Sequence, residues 1–84
     1  MSFSYKPKEI LATGVRIEQE MFYVLLKDGR EIGVPYDWYW RLHKATPQQR
    51  LNWELIADGY VIHWPDIDDD VSVEAILNGE RMAK

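Results

Sequence analysis

The 84-residue chain contains no cysteine. That excludes disulfide staples, thiolate zinc sites and cysteine nucleophiles. It also lacks any apolar run near the ~20 residues that a membrane-spanning helix needs. The longest such run, Met21-Phe22-Tyr23-Val24-Leu25-Leu26, is the length of a strand. The opening Met1-Ser2-Phe3-Ser4-Tyr5-Lys6 does not have the basic-then-apolar order of a secretory signal, so a cytoplasmic location and no membrane partner are expected. No internal repeat, low-complexity tract or linker divides the chain. Neither a dinucleotide-binding glycine fingerprint nor a P-loop occurs, and Asp28-Gly29 and Asp58-Gly59 read as turns, not phosphate cradles.

Positive charge is in deficit. Ten Lys and Arg stand against fourteen Asp and Glu, for a net charge of -4. Residues 1–65 hold eight of each sign, so the whole excess falls in residues 66–84, mostly in Asp66, Asp68, Asp69, Asp70 and Glu74. A nucleic-acid binder usually presents a basic face. A neutral body with an acidic corner points away from DNA and RNA. What the chain does have is 46% hydrophobic residues with four Trp, five Tyr and two Phe. That composition suits one small folded domain whose core is built largely from aromatic rings.

Residues 1–9 read as a loosely held arm, with Pro7 against any helix. Residues 10–79 read as a single domain and residues 80–84 as a tail. Val15 and Ile17 alternate with Arg16 and Glu18, as on a half-buried strand, and Gln19-Glu20 makes a tight connection. Residues 21–26 form the most strand-like segment. Asp28-Gly29 signals a hairpin, and residues 31–34 return as a third strand that Pro35 ends. Asp37 is then placed to cap a short helix over residues 38–44, with Trp38 and Leu42 on one face. Thr46-Pro47-Gln48-Gln49 is the clearest helix start, with Thr as the cap, Pro first and Gln reaching back. Residues 53–56 read as more helix or as a short strand. A helix through about Asn52, then a hairpin at Asp58-Gly59 with the strand 60–64, is favoured. Pro65 stops that strand, residues 66–70 form an acidic loop, and Ser72 caps a last helix over residues 73–78 before Gly79. The fold class is α+β: a small antiparallel sheet, made of a three-stranded meander and a later strand or hairpin, packed with two or three short helices.

The acidic stretch is the most distinctive local feature. Asp66, Asp68 and Asp70 alternate like the first ligands of a calcium loop, but Val71 stands where an EF-hand needs Gly, and Leu77 where it needs Glu. A looser site drawing on Glu74 stays open, although no metal or other cofactor is expected. The plainer reading puts Asp69 and Asp70 at the positive end of the last helix and has Asp68 hydrogen-bonding the loop. His43 and His63 are the two histidines. With Ser72 and an Asp they sketch a hydrolytic triad, but nothing supplies a nucleophile turn or an oxyanion hole, so no catalytic residue is assigned. His63 alternates with Ile62 and Trp64 and is expected on the solvent side of its strand. His43 sits near the end of a short helix, which favours positive charge.

The run Tyr36-Asp37-Trp38-Tyr39-Trp40 is dense in rings. Adjacent helical positions differ by about 100°, so three neighbouring rings cannot all face one core. Some of Trp38, Tyr39 and Trp40 are expected at the surface, where Trp and Tyr mark contact sites.

Asp58-Gly59-Tyr60-Val61-Ile62-His63-Trp64-Pro65-Asp66-Ile67-Asp68-Asp69-Asp70-Val71-Ser72-Val73-Glu74, with Leu77 and Gly79, resembles the signature of a bacterial family catalogued as domain of unknown function 2442. Asp28-Gly29-Arg30, Val34-Pro35, Trp38, Leu42 and the segment from Thr46 to Trp53 match its pattern as well. The resemblance implies a small α+β domain on an antiparallel sheet, and no catalytic residue. It also implies a gene neighbourhood like that of a toxin–antitoxin pair, in which this acidic chain is the antitoxin-like or accessory partner. Some larger members carry a DNA-binding helix-turn-helix extension, for which a chain ending at Lys84 leaves no room.

Two functions of different kind follow. The first is a non-enzymatic module that binds a small basic protein through Asp66, Asp68, Asp69 and Asp70 with Trp38, Tyr39 and Trp40. The second is a metal-dependent or acid–base enzyme using the carboxylates of residues 66–74, with His63. A small-ligand sensor would require an apolar pocket for which so small a core leaves little room. The open strand edges of a small sheet leave both a monomer and an edge-paired homodimer open.

Overall fold

The computed structural model describes residues 10–79, so the expected arm and tail lie outside the described residues. The first sheet comprises β1 (Ala12–Ile17), β2 (Met21–Leu26) and β3 (Glu31–Pro35), antiparallel in chain order. Strict alternation on β2 decides its faces: Phe22, Val24 and Leu26 are buried, while Met21, Tyr23 and Leu25 are half-buried on the other side. The β2–β3 turn closes with the Gly29 amide on the Leu26 carbonyl at 2.9 Å and the Arg30 amide on Asp28 Oδ1 at 3.0 Å. Gly29 has φ +97°, where a side chain would be strained.

The chain between the sheets is helical in short pieces. A 3-10 turn (Tyr36–Trp38) leads to α1 (Trp40–Lys44) and then α2 (Pro47–Leu51). The expected single helix over residues 38–44 is interrupted. Tyr39 is extended, with φ -133° and ψ 103°, and Asp37 caps nothing, because it lies inside the 3-10 turn. The physical reason is the ring content. Side chains three apart on a helix drift by about 60° per step. The extended residue resets that drift, so Tyr36, Tyr39 and Leu42 all enter the core. Trp38 and Leu42 are therefore not on one helical face. The start of α2 forms as the sequence predicts. The Gln49 amide donates to Thr46 Oγ1 at 3.1 Å, and Gln49 Oε1 accepts the Thr46 amide at 2.9 Å.

The second sheet comprises β4 (Glu54–Ile56), β5 (Val61–Trp64) and β6 (Asp69–Ser72), again antiparallel in chain order. The open choice at residues 53–56 resolves as a strand, with a hairpin through Asp58-Gly59. Gly59, at φ +97°, is required there: a Cβ would lie 2.7 Å from the Ala12 carbonyl oxygen. The acidic loop is shorter than expected. Asp69 and Asp70 belong to β6, opposite Trp64 and His63, and only residues 65–68 turn. Asp is a poor strand former. The pairing prevails because β6 carries Val71 into the core at the same time. Ser72 caps α3 (Val73–Leu77), accepting the Ala75 amide at 3.2 Å.

The two sheets share one core. Trp64 is fully buried and meets Phe22 of the first sheet edge-on at 5.4 Å, while Phe22 stacks on Tyr36 at 5.6 Å. The Trp64 indole N–H donates to the Arg50 carbonyl at 2.9 Å. The Arg50 side chain donates to the carbonyls of Leu42 at 2.9 Å and His43 at 3.0 Å, with its guanidinium 3.8 Å over the Tyr36 ring. The Tyr36 hydroxyl donates to the Glu18 carbonyl at 2.8 Å. Burial pushes the Tyr36 phenol above its ordinary proton affinity, with the Arg50 charge opposing.

Two variants check this arrangement by urea unfolding. Trp64→Ala is expected to lose about 3–5 kcal/mol through transfer and cavity costs. Arg50→Ala is expected to lose about 2 kcal/mol, because the Leu42 and His43 carbonyls lose a charged donor. An Arg50→Ala midpoint equal to the parent's would show that water replaces the guanidinium without cost.

Candidate functional site

The β5–β6 turn concentrates the acidic side chains. Asp66 Oδ2 accepts from the side-chain Nδ2 of Asn52 at 3.1 Å. Asp68 is exposed and adopts a left-handed φ of 54°. The turn is closed by the Ile67 amide on the Trp64 carbonyl and the Asp68 amide on the Pro65 carbonyl, both at 3.3 Å. Asp69 is half-buried, and that burial raises its carboxyl above the usual range, opposed by the nearby Arg41 charge.

Arg41 joins this turn to the aromatic run. From α1 its Nη1 donates to the Asp68 carbonyl at 2.9 Å and to the Ile67 carbonyl at 3.3 Å. Trp40 precedes it and leaves 45% of its surface exposed. The Arg41 guanidinium and the Lys44 ammonium lie 5.3 and 5.6 Å from the Trp40 ring centre. A hollow of about 290 Å³ lined by Tyr39, Trp40, Arg41 and Asp69 lies where the two segments meet. The fold thus places one expected ring, Trp40, beside one of the expected carboxylates, Asp69.

The other two rings stand differently. Tyr39 is 3% exposed, with its ring 6.4 Å from that of Phe22. Its inclusion among surface contacts is corrected: the extended backbone at Tyr39 turns the side chain into the core. Trp38 is half-buried against the core. Arg41 went unnoticed in the sequence because its partners are main-chain carbonyls, which carry no side-chain signature. The one available signal was a basic residue next to an exposed Trp.

The histidines have separate surroundings. His63 lies on the face of β5 opposite Ile62 and Trp64, as its alternation predicts, but carboxylates surround it. Its Nδ1 pairs with Asp70 Oδ1 at 2.5 Å, and its Nε2 lies 4.0 Å from Glu54 Oε2. The hydrogen bond to Asp70 raises the imidazole's proton affinity, and the charges of Asp70, Glu54 and Asp68 add to it, against a lowering by burial. His43 Nδ1 lies 3.1 Å from Asp37 Oδ1, beside a hollow of about 410 Å³ that Tyr36 and Arg50 also line. Ser72 Oγ serves as the cap of α3, which accounts for it without a nucleophilic role.

Among the described residues, no three His, Asp or Glu side chains converge as a metal site would require. Asp66 turns to Asn52 and Asp70 turns to His63, which separates the alternating carboxylates. No helix among the described residues is long and apolar enough to cross a membrane.

Comparison with known proteins agrees with the fold and adds no activity. No curated protein matches the chain. A crystal structure of a protein of unknown function from Rhodospirillum rubrum is similar, with a TM-score of 0.82 and 25% identity over 92% of this chain and 95% of that one. A solution structure of an uncharacterised protein from Chromobacterium violaceum shares the fold, with a TM-score of 0.77 and 23% identity over 87% of this chain and 69% of the other. The sequence model described as protein of unknown function, DUF2442, matches residues 12–82, and the chain belongs to that family.

Proposed function

We propose that the chain is a non-enzymatic protein-interaction module whose partner is a small basic protein. The contact surface is the β5–β6 turn with Asp66 and Asp68, the adjoining Asp69 and Asp70 of β6, Trp40 and the exposed part of Trp38. The observation that carries this reading is the Arg41 bridge. It holds an exposed Trp beside a turn that carries Asp66 and Asp68 and leads into Asp69 and Asp70 of β6. A large ring bordered by charge has the composition of a binding hot spot. The carboxylates of the neighbouring turn and of β6 speed the encounter with a basic partner and select against acidic ones. With its carbonyls held by Arg41, the turn is ordered before binding, which lowers the entropy cost of association. An antitoxin-like or accessory role in the cytoplasm, beside a small neighbouring protein, is one form of this reading.

The test is retention of a partner on the immobilised chain in extracts of cells that encode it, with the variants run alongside. Wild type is expected to hold one small basic protein stoichiometrically at low salt and less of it at moderate salt. Asp66→Asn with Asp68→Asn is expected to weaken binding about 10-fold and flatten the salt dependence. Asn tolerates the left-handed backbone at position 68, so the turn persists. Trp40→Ala is expected to weaken binding by about 10-fold or more. Equal retention by wild type and both variants would remove this surface from the interaction.

A further inference from the structure

Glu54, His63 and Asp70 form one row across the second sheet. The β4–β5 register sets Glu54 opposite His63, and the β5–β6 register sets Asp70 opposite the same residue. Directly opposed side chains on antiparallel neighbours share a face, and opposite charges there stabilise the pair. Here the central strand supplies the one basic group and both edge strands supply a carboxylate. Nδ1 meets Asp70 and Nε2 faces Glu54, so the two nitrogens of one ring address two different strands. The charges acting on the ring are the carboxylates of Glu54 from β4, Asp70 from β6 and Asp68 from the turn.

We propose that this row is a proton-operated clamp, in which protonated His63 ties both edge strands of the second sheet to its centre by charge, and loss of the proton frees β4 at Glu54 and leaves β6 held at Asp70 by a neutral hydrogen bond alone. The neutral ring keeps its single proton on Nδ1 for Asp70 and turns a lone pair toward Glu54. The imidazolium presents an N–H to each. At 4.0 Å the Glu54 contact is charge attraction and not a hydrogen bond, so it depends on that second proton. Without it, two carboxylates stand two strand spacings apart, about 9–10 Å, with no cation between them in the row. β4 has three residues and β6 has four, so neither has many ladder bonds in reserve. The foot of the acidic turn is Asp69-Asp70 itself, so the clamp also acts on the geometry of that turn. The clamp stands on the row alone, whether or not the turn binds a partner.

The sign follows from linkage. The folded-state imidazole binds its proton more tightly than the unfolded one. The stabilisation is therefore complete below the unfolded value, about 6.5, and disappears as pH rises through the higher folded value.

Two measurements on the full chain test it. Proton NMR of the imidazole signals, with His63→Gln for assignment, is expected to place the His63 midpoint above the ordinary value of about 6.5. Asp70→Asn is expected to bring that midpoint down. In urea unfolding between about pH 6 and about pH 9, the wild-type midpoint is expected to fall a few tenths molar further than that of His63→Gln. Amide exchange in β4 and β6 is expected to quicken over the same range. A His63 midpoint at or below the ordinary value, or wild-type and His63→Gln profiles that run parallel, would overturn the clamp. If His63→Gln does not fold, the wild-type titration against Asp70→Asn decides the matter alone.

Discussion

The burial of Trp64 against Phe22 is the contact on which the rest of this domain depends. Each sheet has three strands and one face that needs covering, and neither could bury that face alone. Phe22 comes from the centre of one sheet and Trp64 from the centre of the other. Their edge-to-face contact makes one core from two half-cores. A Trp in such a position brings a polar N–H with it, and that group must find an acceptor. It finds the Arg50 carbonyl, which draws α2 onto the junction. Arg50 then uses its own side chain on the end of α1 and on the ring of Tyr36. One aromatic contact thus sets the position of both short helices.

Both arginines that matter here act through main-chain carbonyls. Arg50 holds the carbonyls of Leu42 and His43, and Arg41 those of Ile67 and Asp68. Helices of five residues leave much of their backbone without internal partners. A guanidinium with five donors in a fixed fork can satisfy several such oxygens at once. For Arg41 the consequence extends to the surface. By gripping the turn it joins α1 to the acidic segment and seats Trp40 near Asp69. The proposed interaction surface therefore arises from backbone satisfaction as much as from exposed charge.

The acidic residues divide by partner. Asp70 is tied to His63, Asp66 to Asn52, and Asp69 is partly withdrawn from water beside Arg41. Asp68 is exposed, on a residue whose left-handed backbone the turn imposes. Carboxylates committed in different directions do not gather around one ion, and among the described residues no three such groups converge. Membership in a family described only as of unknown function leaves the proposed contact surface as the feature on which the functional reading rests.

Much of this was legible in the order of residues. The alternation of residues 21–26, the Asp-Gly turns and the Thr46–Gln49 capping box are local patterns, decided by neighbours a few positions away. They predicted the meander, the second hairpin and the start of α2. The acidic corner was equally visible, since charge is counted without knowing the fold. Four features were not legible, and all are long-range. The break at Tyr39 occurs because the core accepts Tyr36, Tyr39 and Leu42 together, which no helical period expresses. β6 forms because β5 offers an open edge and the core a place for Val71, overriding the poor strand tendency of Asp69-Asp70. Arg41 and the Glu54–His63–Asp70 row exist only once segments distant in the chain are side by side. Sequence patterns determine structure where the partners are near in the chain. Where the partner is a backbone carbonyl or a facing strand, only the assembled fold decides.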